Sequence, residues 1–161
     1  MVKSPPHTAR VRTLLELYPD AKFVHIVRNP YDLYVSTINL WKSLNEVQRM
    51  QALGDQDWVE PYVLSSLERM YLAYEADRRL LRDNQICELR YEDLVENPRE
   101  RLRQIYDVLE LGEFSRVEAR AEEYLADVKN YRRNHYELSE EKRAVIRKRW
   151  QGYFQRYGYE E

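Results

Sequence analysis

Two segments of the chain carry apolar residues almost without interruption, and the rest repeats them at helical spacing. Residues 22–27 and 85–90 read as strands, the first through the run Phe23-Val24-His25-Ile26-Val27 and the second through Ile86-Cys87-Glu88-Leu89; the residues around Val2 are a third, weaker candidate. A short run of this kind is the pattern of a parallel strand covered on both faces. Elsewhere the period is that of a helix. Val11, Leu14, Leu15 and Tyr18 recur at i, i+3, i+4, i+7 behind a Thr8 cap and ahead of Pro19. A long helix is marked by Leu64, Leu67, Tyr71, Tyr74 and Leu81. Another carries Leu102, Ile105, Tyr106 and Leu109, with Asn97 as its cap, Pro98 and Glu100 in its first turn and Gly112 after its end. Ser139 heads a last helix whose apolar side is Val145, Ile146, Trp150, Tyr153, Phe154 and Tyr157, and residues 45–57 read as a loop or frayed helix. Strands alternating with helices predict an α/β fold with a large helical share.

The junction after the first strand carries the chemistry. Arg28 stands at its carboxyl end, followed by Asn29 and Pro30, a helix N-cap and a first helical residue. A helix amino terminus offers unpaired N–H groups and a partial positive charge. A guanidinium beside it adds paired hydrogen bonds of fixed geometry, a combination suited to phosphate. Ser36, further into that helix, is a further hydroxyl donor. The plain alternative for Arg28 is an ion pair with Asp32 or Glu92, and Asp32 reads as structural, part of the helix cap.

These residues, in this order, resemble the sulfotransferase superfamily, in particular its bacterial and tyrosylprotein types, whose donor is 3′-phosphoadenosine 5′-phosphosulfate (PAPS). Arg28, Asn29, Pro30, Asp32 and Ser36 are similar to the segment that holds the 3′-phosphate. Leu89-Arg90-Tyr91-Glu92-Asp93-Leu94 with Asn97-Pro98 is similar to a second segment, and there the resemblance places Tyr91 near the adenine. Lys3-Ser4-Pro5-Pro6-His7, followed by Tyr18-Pro19-Asp20-Ala21-Lys22-Phe23, is similar to the catalytic segment. By resemblance Lys3 contacts the bridging or sulfuryl oxygens. His7 is the candidate base, although cytosolic members space Lys and His two apart and here they are four apart. Residues 129–138 resemble a loop that folds over the nucleotide, with Arg132 and Arg133 as its cationic candidates. The implied reaction moves a sulfuryl group from PAPS to a hydroxyl or amine, with no metal; no His/Cys/Asp/Glu spacing here suggests one.

The resemblance also implies what is not here. Family members begin with a strand, an Arg/Lys-Ser-Gly-Thr loop and a helix that bind the 5′-phosphosulfate. The four glycines, Gly54, Gly112, Gly152 and Gly158, lie in no such element. The fold expected is thus a P-loop-type three-layer parallel sheet with helices on both faces, N-terminally incomplete, residues 1–161 forming one domain that is the C-terminal part of the full fold. Two readings follow: an enzyme, inactive if truncated here, or a non-catalytic nucleotide-binding or interaction subunit. In the second, an open sheet edge pairs with another chain or a second copy.

Charge and composition narrow the partners. With 26 basic and 28 acidic residues the formal charge is −2, so no global field draws the chain to nucleic acid. Eight Lys and Arg against three Glu between residues 129 and 149 read as a solvated helix face, the rival being cofactor contact. No apolar run is long enough to span a membrane, and the single cysteine, Cys87, points to a reducing, cytoplasmic setting. The acceptor carries a hydroxyl on a carbohydrate, lipid, small molecule or peptide. Trp41, Trp58, Tyr62 and residues 45–57 are the candidates for shaping its pocket.

Overall fold

The computed structural model describes residues 1–48, 50, 54–127 and 137–159. Among the described residues two strands, β1 (Phe23–Val27) and β2 (Ile86–Arg90), are accompanied by eight α-helices: α1 (Val11–Leu17), α2 (Pro30–Gln48), α3 (Val59–Arg78), α4 (Tyr91–Glu96), α5 (Pro98–Val108), α6 (Ser115–Asp127), α7 (Glu140–Arg149) and α8 (Gln151–Tyr157). The chain divides into two compact units, Met1–Arg28 with Tyr74–Asn134 and Asn29–Ala73 with His135–Glu161.

The first unit is built on a parallel pair of strands, in register from Phe23 opposite Ile86 to Val27 opposite Arg90. A buried amide fixes that register at the amino ends. Gln85 donates from Nε2 to the carbonyls of Pro19 (2.8 Å) and Ala21 (3.2 Å) and accepts from the Arg82 N–H (3.2 Å), while Lys22 Nζ reaches the Asn84 carbonyl (2.7 Å). Because side chains alternate along a strand, Cys87 and Leu89 share one face of β2 and pack against Ile105 and Leu109, with Leu102 and Val108 beside them. On the other face His25 is buried and stacks on Tyr74, ring centroids 4.3 Å apart. Helices therefore cover both faces of this small sheet, but not evenly. The apolar run of β1 predicts a strand covered on both sides; Val24 and Ile26 are instead 43% and 46% exposed, since the cluster formed by α5 lies against β2 residues.

Several ends differ from expectation. Residues 1–4 form no strand. Pro5 and Pro6 lack N–H groups, and residues Pro5–Arg10 wind as a 3-10 helix with the His7 N–H on the Ser4 carbonyl (3.0 Å), so Thr8 lies inside it and caps nothing. Asn97 takes the cap position of α5 without a side-chain bond. That helix is closed by Glu110, at φ 52°, rather than by Gly112, with the Leu111 N–H returning to the Tyr106 carbonyl (3.0 Å). Arg99 and Arg103 then bind one carboxylate, Glu118 of α6.

The second unit is helical. Asn29 caps α2 as its sequence predicts, its Oδ1 accepting from the Tyr31 N–H at 3.0 Å and the Asp32 N–H at 3.5 Å. The helix runs on through Gln48, into the stretch read as a loop or frayed helix, and α3 stops at Arg78, short of Leu81. Ser139 caps α7, accepting from the Lys142 N–H at 3.3 Å. The expected single last helix is two, broken at Trp150, whose buried indole N–H donates to the Leu64 carbonyl (3.1 Å). The basic residues of α7 are not simply a solvated face. Lys142 pairs with Glu60 (2.6 Å), Arg149 pairs with Glu68 (2.7 Å), and Arg143 and Arg147 meet Tyr31. The core beneath them includes Tyr31, Tyr34, Ile38, Leu64, Ile146, Trp150 and Phe154.

Candidate functional site

Two parallel strands in register end level with each other, so whatever follows each strand leaves the same edge of the sheet. Ligands of α/β sheets gather at that carboxyl edge. Here Arg28 leaves β1 one residue beyond Val27, and Tyr91 leaves β2 one residue beyond its partner Arg90. Their side chains meet: the Arg28 guanidinium carbon lies 5.0 Å from the Tyr91 ring centroid. A flat cation over an aromatic face is a platform for an anionic group and a planar base held side by side. Tyr91 opens α4, whose first turn also carries Glu92 and Asp93, and Arg101 lies 3.7 Å from Asp93.

Behind this edge a polar network stiffens β2. Glu88, opposite His25 in register, accepts from Tyr74 Oη at 2.9 Å and from Arg78 Nε and Nη2 at 3.0 and 2.6 Å. Donating its hydrogen bonds to Glu88 holds the Arg78 guanidinium above its ordinary pKa, against a smaller opposing effect of burial. Nothing in the sequence pattern pointed to this network, because its three members lie on a helix and a strand with no shared motif.

The other expected residues are spread over the chain. Lys3 is exposed in the irregular first residues. His7 sits half-buried in the 3-10 helix, and its Nδ1 is buried with no hydrogen-bond partner among the described residues. It therefore lacks the orienting group that ordinarily fixes the tautomer of a histidine base. Ser36 is half-buried on α2, in the second unit. Arg132 and Arg133 lie outside the described residues. Within the first unit the structure thus brings Arg28 and Tyr91 together.

A cationic pair within the basic run of residues 129–149 lies in the second unit. The Arg143 guanidinium sits 4.6 Å from the centroid of the Tyr31 ring, and Arg147 Nε donates to Tyr31 Oη at 3.2 Å. Their i, i+4 spacing was the available signal. Tyr31 belongs to the first turn of α2, so two guanidiniums stand by a residue of the turn that carries the helix's partial positive charge. Nearby, burial pushes the Tyr34 phenol above its ordinary range, and the hydrogen bond from Lys142 holds the Glu60 carboxyl below its own. A depression of about 430 Å³ lined by Glu96, Asn97, Pro98, Arg99, Glu100 and Arg103 lies at the start of α5, but its arginines are engaged with Glu118. Among the described residues no group of three His, Cys, Asp or Glu side chains is placed to hold a metal ion.

A family model described as "Sulfotransferase family" matches residues 1–116. Two curated proteins, both omega-hydroxy-beta-dihydromenaquinone-9 sulfotransferase Stf3, from Mycobacterium bovis and Mycobacterium tuberculosis, are each 39% identical over 160 residues. Those alignments take in 99% of this chain and 41% of each relative, so the chain spans about two-fifths of their length. The crystal structure of sulfotransferase STF9 from Mycobacterium avium superposes with a TM-score of 0.80 at 22% identity, over 96% of this chain and 40% of that one.

Proposed function

Because this chain belongs to the sulfotransferase family, we propose that it carries the nucleotide-binding half of a site that transfers a sulfuryl group from PAPS to a hydroxyl. The observation that carries the reading is the meeting of Arg28 and Tyr91 at the level ends of the two strands. In this reading Arg28 takes the 3′-phosphate, Tyr91 lies along the adenine, and Ser36 adds a hydroxyl donor. Arg132 and Arg133 are the proposed cationic residues of the covering loop, and residues 1–161 are read as part of one sulfotransferase domain. The acceptor oxygen attacks sulfur as the bond from sulfur to the bridging phosphate oxygen breaks, leaving 3′-phosphoadenosine 5′-phosphate. Lys3 is proposed to neutralise charge on that departing oxygen, as in in-line phosphoryl transfer. His7 is proposed to take the acceptor proton. Two relatives are named for a hydroxylated menaquinone derivative, which supports an acceptor hydroxyl on a lipid-like molecule. No helix among the described residues is long and apolar enough to cross a membrane.

A second reading is an interaction subunit, favoured by one observation: the half-exposed Val24 and Ile26 on β1. A mass that rises with concentration, or with addition of a second polypeptide, supports it; a monomer at every concentration removes it.

The test of the first reading is calorimetric titration with 3′-phosphoadenosine 5′-phosphate and with 5′-AMP. Hydrogen bonds to a charged group are worth roughly 1.5–3 kcal/mol, which is about 10- to 150-fold in affinity. Arg28→Ala is expected to weaken the bisphosphate by that factor and leave 5′-AMP unchanged. Unchanged bisphosphate affinity in a folded Arg28→Ala chain sinks the assignment.

A further inference from the structure

We propose that Trp41, Trp58 and Tyr62 form the seat for the apolar body of an alcohol, with Asn45 and Gln56 holding its hydroxyl. The inference rests on the sulfotransferase reading only in taking that alcohol to be the acceptor.

The three rings come from two places in the second unit: Trp41 from α2, and Trp58 and Tyr62 from the turn into α3 and its first turn. They meet edge to face, with centroids 6.2 Å apart for Trp41 and Trp58, 5.1 Å for Trp41 and Tyr62, and 5.8 Å for Trp58 and Tyr62. Rings gathered only to fill a core would be shut away from water. Here Trp58 is 47% exposed and Tyr62 37%, so a clustered aromatic surface is left facing solvent.

The second observation concerns two amides. Asn45 lies one helical turn beyond Trp41 on α2, on the same side of the helix. Gln56 precedes Trp58 by two residues, and its backbone carbonyl receives the Val59 N–H at 3.0 Å. The Asn45 Nδ2 and the Gln56 Oε1 are both buried with no hydrogen-bond partner among the described residues. Buried polar groups without partners are uncommon and call for a ligand or water. One of the two is a donor and the other an acceptor. A hydroxyl supplies the complement of both, accepting from the first and donating to the second, whereas a phosphate or carboxylate only accepts. A sugar has many hydroxyls to satisfy, and the rings offer them none. Aromatic surface with one donor and one acceptor fits an apolar alcohol, such as a prenyl chain ending in a hydroxyl.

The test is titration of the whole chain, followed by tryptophan fluorescence, with farnesol below its aggregation limit. Farnesene, which lacks the hydroxyl, and glucose serve as comparisons. Saturable binding of farnesol above farnesene, and none of glucose, is expected. Tyr62→Ala is expected to weaken farnesol about tenfold, and Trp58→Phe, which keeps an apolar ring, by less. Gln56→Ala is expected to weaken farnesol towards the farnesene value and leave farnesene unchanged. Circular dichroism checks that each variant folds. Absence of saturable farnesol binding, farnesol affinity that neither folded ring variant changes, or a preference for glucose overturns the proposal. The same protein titrated with 3′-phosphoadenosine 5′-phosphate separates the two readings. Bisphosphate binding without farnesol binding removes the aromatic seat alone; farnesol binding without bisphosphate binding removes the donor assignment alone.

Discussion

Replacing Glu88 by glutamine asks how firmly the end of β2 is held. The carboxylate accepts hydrogen bonds from the Tyr74 hydroxyl and from both Nε and Nη2 of Arg78. Glutamine keeps the shape, but its one carbonyl oxygen can receive only part of the guanidinium fork, and its NH₂ group turns a donor towards other donors. A hydrogen bond to a charged group contributes roughly 1.5–3 kcal/mol, whereas an exposed ion pair contributes about 0.2–1 kcal/mol. The side chains of Arg78 and Glu88 are 37% and 22% exposed, between those limits. Screening by solvent therefore brings the expected loss for Glu88→Gln to about 1–2 kcal/mol. Urea unfolding at pH 7 by far-ultraviolet circular dichroism, with slopes compared to the parent, reads this directly. A cycle with Arg78→Met should show a coupling of about 1 kcal/mol. A change below about 0.5 kcal/mol with no coupling would refute the reasoning and leave the register bonds of Gln85 as what holds the strand.

Two further outcomes are expected. Gly158, at φ 63°, ends α8 in a left-handed conformation, and among the described residues beyond its chain neighbours no atom lies within 4 Å of where a Cβ would stand; Gly158→Ala is therefore expected to act through backbone strain. It should cost roughly 1 kcal/mol, seen as a fall of a few degrees in Tm. The Glu60 carboxyl is held below its ordinary pKa, first by its hydrogen bond from Lys142. Its contribution to stability is thus present above the usual carboxylate value, about pH 4.3, and is lost as pH falls through the lowered value. Lys142→Met should flatten the acid loss of stability in urea titrations run from pH 7 to pH 3. An unchanged acid slope refutes the pairing.

What could be read from residues alone followed the strength of local signals. Both strands were placed to within one residue because apolar runs bounded by Lys22 and Arg28, and by Gln85 and Tyr91, leave little choice. The Asn29-Pro30 cap was legible because both residues have fixed backbone preferences. The break at Trp150 was not, since helical spacing continues through Ile146, Trp150 and Tyr153; a bond to Leu64, 86 residues away, marks the turn instead. The meeting of Arg28 with Tyr91 was half legible: each had a motif, but their proximity depends on parallel register. Arg143 and Arg147 were hidden for the opposite reason, since a run of charges looks alike whether it faces water or a tyrosine.

The burial of Cys87 makes this chain its own reporter. Packed among Leu89, Ile105 and Leu109, the thiol is closed off and burial raises its pKa, so little of the reactive thiolate exists in the folded state. It is the sole cysteine of the sequence. A thiol reagent can therefore add one tag per molecule, and only when the seam between β2 and α5 parts. The rate of that mass increase, followed over denaturant concentration, measures the free energy of opening this seam rather than of the molecule at large.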